Sequence, residues 1–144
     1  VASSGMTMDQ VVILASIIQA EAASTSDMFN VSAVLHNRME FGAEHGIMNL
    51  ECDSTSFYPY KNGKEMEELG NTLSHGAYDT YTFSGLPAGA ICNPGVDALN
   101  AALKPNTGGD AAGYLYFCHS DDGVAYYAST AEEHEYNKQL AGLT

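Results

Sequence analysis

Val11-Val12-Ile13-Leu14-Ala15-Ser16-Ile17-Ile18-Gln19-Ala20-Glu21-Ala22 carries the helical pattern around which the rest of the chain is organised. Apolar residues recur at helical spacing from Val11 through Leu14 to Ile18, which makes it a helix with one core-facing stripe. Thr7, with Gln10 three residues on, offers a capping box at its start. Glu21 follows Leu14 by seven residues, Ile17 by four and Ile18 by three, so its carboxyl continues the stripe, while Gln19 points away. A glutamate is almost never fully buried unless it has a partner or a task. Burial would raise its pKa and make it a proton donor near neutral pH. The other reading places the carboxyl at the edge of the stripe, near the helix end and in reach of solvent.

The chain has 144 residues, enough for one domain (1–144) with a single core. Hydrophobic content of 45% is that of an ordinary globular chain. A net charge of -13 argues against a broad surface for DNA, RNA or anionic lipid. The longest apolar run, Val11 to Ile18, is far short of the roughly 20 residues that span a bilayer. No signal peptide is visible, and a start at Val1 rather than Met suggests a piece of a longer protein. Cys52, Cys92 and Cys118 cannot all pair within one chain and form no CxxC. Three reduced thiols are expected, with one disulfide plus a free thiol as the alternative.

Residues 1–6 read as a tail. After the first helix, Asp27 is placed to cap a second, whose apolar side is Met28, Val31, Val34, Leu35 and Met39 and whose stop is Gly42. Two helices so shortly linked are expected to pack antiparallel. Arg38, the only arginine, falls near the end of that helix, where it can meet the dipole and surface acids or orient a polar substrate. Tyr58 to Tyr60 and Asn62-Gly63 mark turns, and Lys64 to Leu69 a small polar helix. Residues 78–95, dense in Gly, Pro and aromatics, form a long irregular loop region of the kind on which sites are built. Asn93 is placed to cap a third helix with Pro94 in its first turn, Val96, Leu99, Ala102 and Leu103 on its apolar face, and Pro105 as its end. Residues 106–113 read as a flexible link. Tyr114–Cys118 and Val124–Ala128 flank the turn 120–123 as a β-hairpin. Thr130 with Glu133 caps a closing helix carrying His134, Asn137 and Leu140. The fold class is α+β: two N-terminal helices, the irregular loops, a third helix, a late hairpin and a closing helix around one core.

Several chemistries lack their motifs: there is no GxGxxG, Walker A loop, HExxH or GxSxG. The five histidines, His36, His45, His75, His119 and His134, are scattered and none pairs with another at helical ligand spacing, so no metal site is expected. Acid chemistry by a carboxyl, polar loops and cleft-lining tyrosines remain.

Five segments, in order, carry a resemblance to a known family. Leu14 to Ala22 looks like LASIIxxEA, Val34 to Met39 like VFYNRL, and Leu50 to Thr55 followed by Tyr58 like LQSDPT…Y. Tyr78 to Tyr81, Gly85-Leu86-Pro87 and Ile91 to Gly95 are similar to YNTY…GLPPGPIxNPG. Tyr114 to Phe117 and Thr130 to His134 look like a YLYF hairpin strand and a T-x-x-EH closing helix. The chain thus resembles the YceG-like family of endolytic murein transglycosylases. Departures are Asp79 in place of Asn, Ser54 in place of Pro, and Ala125 where a histidine is often found. Gln19 stands where many members carry a second Glu.

The resemblance implies cleavage of the β-1,4 bond between N-acetylmuramic acid and N-acetylglucosamine in peptidoglycan, leaving 1,6-anhydromuramyl ends without metal or organic cofactor. Glu21 aligns with the family's essential glutamate. Substrate-binding work then falls to Asn37, Arg38, Asp53, Tyr78, Asp79, Thr80, Tyr81, Asn93 and His134. The partners implied are glycan strands and, in the intact protein, cell-wall synthesis proteins, with a membrane anchor outside this chain and work on the extracytoplasmic face. Alternatives are an inactive glycan-binding module and a hydrolase in which Asp53 or Asp79 activates water opposite Glu21. A pyridoxal-phosphate lyase would need a Schiff-base lysine, and Lys61, Lys64, Lys104 and Lys138 lie in polar or helix-end contexts with no phosphate-cradling loop.

Overall fold

The computed structural model describes residues 5–47, 49–56, 58, 76–81 and 84–143. Helix α1 (Met8–Glu21) begins at the expected capping box: the Gln10 amide donates to Thr7 Oγ1, and the Thr7 amide donates to Gln10 Oε1. Its stripe of Val11, Leu14, Ile17 and Ile18 is buried. Ser16 is buried with them and is satisfied, donating to the Ile13 carbonyl at 2.7 Å and accepting the Ile91 amide at 3.1 Å. That second bond fastens the Gly- and Pro-rich segment to the core.

Helix α2 (Thr25–Phe41) starts earlier than the sequence suggests. Ser24, not Asp27, is its cap: the serine hydroxyl accepts the Asp27 amide at 3.2 Å. Asp27 lies inside the first turn, and its carboxylate turns back to accept the Ala23 amide at 2.9 Å. Met28, Val31, Val34 and Leu35 are buried as expected, but Met39 is exposed, because the last turn of α2 outruns the core. Gly42 does end the helix, though for another reason than left-handed backbone. It stays right-handed, leads into a 3-10 turn (Gly42–His45), and passes the turn's left-handed exit to Gly46 at φ 76°. What position 42 requires is space, since the chain folds back so that the Ile47 amide donates to the Gly42 carbonyl at 2.8 Å.

A one-turn helix, α3 (Asp53–Ser56), is fixed by buried hydroxyls. Thr80 Oγ1 accepts the Cys52 amide at 2.8 Å and lies 2.8 Å from Thr55 Oγ1, so residues 52–56 and the loop around Thr80 hold each other. Helix α4 (Val96–Leu103) starts two residues later than expected, with Gly95 rather than Asn93 as cap. The Gly95 amide is taken by the Gln19 side chain of α1 at 3.0 Å. Its buried face is Ala98, Ala101 and Ala102, with Leu99 and Leu103 at the margins and Val96 exposed. Small side chains let α4 lie close against α1, its main neighbour, and α2 joins through the buried Ser32 hydroxyl donating to the Ala101 carbonyl at 2.6 Å.

Residues 106–113 are not a free link: the Asn106 amide donates to Phe29, and Gly109–Gly113 forms a 3-10 turn. Strands β1 (Tyr116–His119) and β2 (Ala125–Ala128) pair antiparallel, with Tyr116 opposite Ala128 and His119 opposite Ala125. Gly123, at φ 85°, closes the turn between them. Helix α5 (Ala131–Leu140) is capped by Thr130 and packs on this hairpin, where Asn137 donates to the Tyr127 carbonyl at 3.0 Å; Leu140 is exposed. The architecture is α+β. Cys52, Cys92 and Cys118 are all free. The expected turns at Tyr60 and Asn62-Gly63 and the helix at Lys64 to Leu69 lie outside the described residues.

The tight return at Gly42 can be tested. A Cβ there would stand 2.4 Å from the Ile47 carbonyl oxygen, a backbone atom that cannot swing aside. Gly42→Ala should cost about 2 kcal/mol, seen as a lower urea midpoint at unchanged slope.

Candidate active site

The C-terminal end of α1 opens into a cleft of about 450 Å³. Its walls come from segments far apart in the chain: Glu21, Arg38, Glu51 and Asp53, Tyr81, Tyr116 to His119 of β1, and His134 with Lys138 of α5. A larger cavity of about 620 Å³ is also bounded by Arg38, but that is its one charged wall residue, so it offers no acid–base pair.

Glu21 is half-buried and its pKa is pushed up to about 7. Burial is the main cause, and the charge of Asp53 adds to it. His119 and the Ser54 hydroxyl pull the other way. The Ser54 contact falls short of hydrogen-bond geometry, so Ser54 Oγ is buried and unpaired. A carboxyl balanced this way is protonated and ionised to comparable extents near neutrality.

Asp53 accepts the Tyr81 hydroxyl at 2.7 Å. That bond, after burial, keeps the phenol protonated far above its ordinary range. Arg38 is a structural hub. Its Nε donates to the Leu115 carbonyl at 2.6 Å, its Nη1 to the Asn49 and Leu50 carbonyls at 3.0 and 3.2 Å, and Glu51 lies 3.6 Å away. The guanidinium also stands over the Tyr116 ring, 5.1 Å from its centre. His134 stacks on Tyr116 at 4.9 Å. Burial first, and then the Lys138 charge, lower the His134 pKa and favour a neutral ring, whose Nδ1 is buried and unpaired. Glu51 is the one non-glycine among the described residues with positive φ, 56°, and its amide donates to the Thr80 carbonyl at 3.2 Å. Strain of this kind, about 1–3 kcal/mol, collects at functional sites.

Of the residues read from the sequence, the cleft therefore gathers Glu21, Arg38, Asp53, Tyr81 and His134. Others stand behind it. Asn37 donates to the Ala111 and Tyr114 carbonyls at 3.1 and 2.9 Å, tying α2 to the entrance of the hairpin. Thr80 is fully buried in the hydroxyl cluster. Asp79 accepts the Ser56 hydroxyl at 2.9 Å and the Tyr81 amide at 3.2 Å, which aims the Tyr81 segment. Tyr78 packs against Tyr58, with ring centres 4.5 Å apart. Asn93 is exposed ahead of α4.

Sequence reasoning missed Tyr116, Glu51 and His119. His119 Nε2 lies 2.7 Å from Asp27 Oδ2, a pairing across 92 residues that no local pattern signals. Among the described residues no group of three or more His, Cys, Asp or Glu is placed to hold a metal ion.

The raised pKa of Glu21 has a consequence for stability. Its folded value, about 7, exceeds its ordinary 4.5, so ionisation favours unfolding. The penalty is absent below about pH 4, grows as pH rises through the window between the two values, and is complete above it. Glu21→Gln should therefore stabilise the protein by about 2 kcal/mol near pH 8 and leave it unchanged near pH 4. Urea unfolding at the two pH values reads both.

Comparison with known proteins bears on the family and the fold. The model of the YceG-like family matches residues 1–140. An endolytic murein transglycosylase of Bacillus subtilis strain 168 is 28% identical over 134 residues, 93% of this chain and 35% of the relative. One from Streptococcus pneumoniae strain D39 is 24% identical, covering 94% of this chain and 24% of that protein. The chain thus spans about a third or less of these relatives. A yceG-like protein of Listeria monocytogenes, solved by crystallography at 2.6 Å, superposes with a TM-score of 0.74 at 30% identity, over 95% of this chain and 42% of that one. With nearly its whole length matched in sequence and fold, this chain belongs to the YceG-like family.

Proposed function

We propose that this chain is the catalytic part of an endolytic lytic transglycosylase, which cuts the N-acetylmuramic acid–β-1,4–N-acetylglucosamine bond within peptidoglycan strands. The observation that carries the reading is Glu21: a half-buried carboxyl on the wall of an open cleft, with a pKa near neutrality. The names of the relatives supply the substrate class.

In the proposed reaction, Glu21 begins protonated and gives its proton to the glycosidic oxygen. The bond from that oxygen to C1 of the muramyl residue breaks as positive charge develops on C1. The C6 hydroxyl of the same sugar attacks C1, and the Glu21 carboxylate takes the hydroxyl proton. One carboxyl serves both steps because the nucleophile belongs to the substrate, whereas glycosidases that use water or an enzyme nucleophile need two. Asp53, by its charge, favours the protonated starting state. Arg38, Asp53, Tyr81 and His134 are the proposed contacts to sugar. Asn37, Tyr78, Asp79, Thr80 and Asn93 set the segments from which those contacts project. The protein's place would be the extracytoplasmic face of the cell membrane, on glycan strands and beside cell-wall synthesis proteins. Among the described residues no helix is long and apolar enough to cross a membrane.

A second reading has one observation in its favour: Asp53 shares the cleft with Glu21 and could activate water for hydrolysis. Mass spectrometry of products from purified glycan strands separates the two, because the anhydro product lacks one water. The parent chain should yield anhydromuramyl ends, with a rate that declines as pH rises above about 7. Glu21→Gln should lower it by about 10²–10⁴-fold. Reducing ends would replace transglycosylation by hydrolysis. Undiminished cleavage by Glu21→Gln would overturn the assignment of Glu21, and binding with no cleavage by either form would leave a glycan-binding module.

A further inference from the structure

The burial of Asp27 is unexplained by its helix. A cap or first-turn acid normally reaches solvent, yet this carboxylate is 5% exposed. It receives three donors: the Ala23 amide at 2.9 Å, the Tyr127 hydroxyl, and His119 Nε2 at 2.7 Å. The oxygens of a buried carboxyl need donors, and of these three only the imidazole can also carry charge. Through Ala23 the same carboxylate is fastened two residues beyond Glu21. Through His119 it reaches the end of β1, and His119 lines the cleft that Glu21 lines.

We propose that the Asp27–His119 pair positions the acid of this site, holding an imidazolium in the cleft wall as counter-charge to the carboxylate that Glu21 becomes once its proton has left. The inference rests on the role proposed for Glu21. His119 is a positioning residue and transfers no proton. The O–H bond of Glu21 breaks toward the leaving oxygen, its electron pair stays on the carboxylate beside the imidazolium, and the carboxylate then takes the proton of the C6 hydroxyl.

The other charges in the cleft are accounted for. Arg38 of α2 is spent on carbonyls and Glu51. Lys138 of α5 is bound to Glu135 at 2.7 Å, and His134 favours its neutral form. Asp53, of α3, opposes ionisation of Glu21. The thiol of Cys52 is buried and held neutral, chiefly by that burial, and burial also raises the pKa of Cys118 on β1. Tyr81 is likewise held neutral. Of the basic groups that line the cleft, His119 is the one whose charge lowers the Glu21 pKa, and the Asp27 hydrogen bond is the first cause that raises the imidazole pKa.

The test compares His119→Gln, Asp27→Asn and Glu21→Gln with the parent, scoring anhydromuramyl ends from glycan strands against pH. Without the imidazolium, Glu21 holds its proton to higher pH. The alkaline limb of kcat/KM should therefore move up by about one pH unit in His119→Gln. At neutral pH kcat should fall about tenfold with KM nearly unchanged, while His119→Lys recovers part of the loss. Asp27→Asn should move the limb the same way. A folded His119→Gln whose limb does not move, with Glu21→Gln inactive, overturns the pair's role and leaves the function standing. Activity in Glu21→Gln overturns both. Should the His119 and Asp27 variants fail to fold, NMR titration of the His119 ring decides. Its midpoint falls in Glu21→Gln if the two groups face each other as proposed, and an unchanged midpoint overturns the proposal.

Discussion

A single guanidinium, that of Arg38, gathers carbonyl oxygens from two distant segments, Leu115 ahead of β1 and Asn49-Leu50 ahead of α3. Carbonyls that end a segment in the interior must find donors, and an arginine with a planar set of five can serve several at once. Its side chain is only 10% exposed, so these bonds form where water competes weakly. Because α2 carries Arg38, the hairpin and the α3 segment take their places relative to that helix. Tyr116, under the guanidinium, then sets His134 by stacking. Most walls of the cleft thus trace back to one cation.

The second constraint is the depth at which α1 ends. Its stripe is buried without interruption from Val11 to Ile18, and the helix stops at Glu21, where the core gives way to the cleft. A carboxyl there loses enough water to raise its pKa but stays open to a ligand. Asp53 pushes that pKa further up while His119 and Ser54 pull it down, so the proton affinity of Glu21 is set by side chains from α3 and β1 as well as by its own burial. Of the departures from the family pattern, one enters this balance directly. Ser54, in place of proline, brings a hydroxyl toward Glu21. Ala125, where the family often has histidine, faces His119 directly across the hairpin. Asp79 spends one of its oxygens on Ser56 and Tyr81 within the loop.

The α4 interface shows how close packing sharpens this arrangement. Three alanines bring that helix against α1, and the amide of Gly95 is met by Gln19 on the exposed side of the same helix. The Gln19 position therefore serves as a tie between α1 and α4, a use that its place outside the apolar stripe does not reveal.

The α1 helix and its capping box, the hairpin with its turn, the closing helix, and the place of Glu21 on the apolar stripe are all legible in the order of residues. Each depends on side chains a few residues apart, where periodicity and cap chemistry act. Helix starts were less legible. Ser24 and Asp27 can both cap, and so can Asn93 and Gly95; burial of Asp27 against His119 and the meeting of Gly95 with Gln19 selected among them. Of the expected site residues, Arg38, Asp53, Tyr81 and His134 meet Glu21 at the cleft, whereas Asn37 and Thr80 are taken up by backbone groups behind it. Which polar side chain faces the cleft and which is consumed in holding a loop depends on contacts that form only in the folded chain. The reason is physical: a buried polar group bonds to whatever backbone the fold brings within about 3 Å, and those partners lie dozens of residues away.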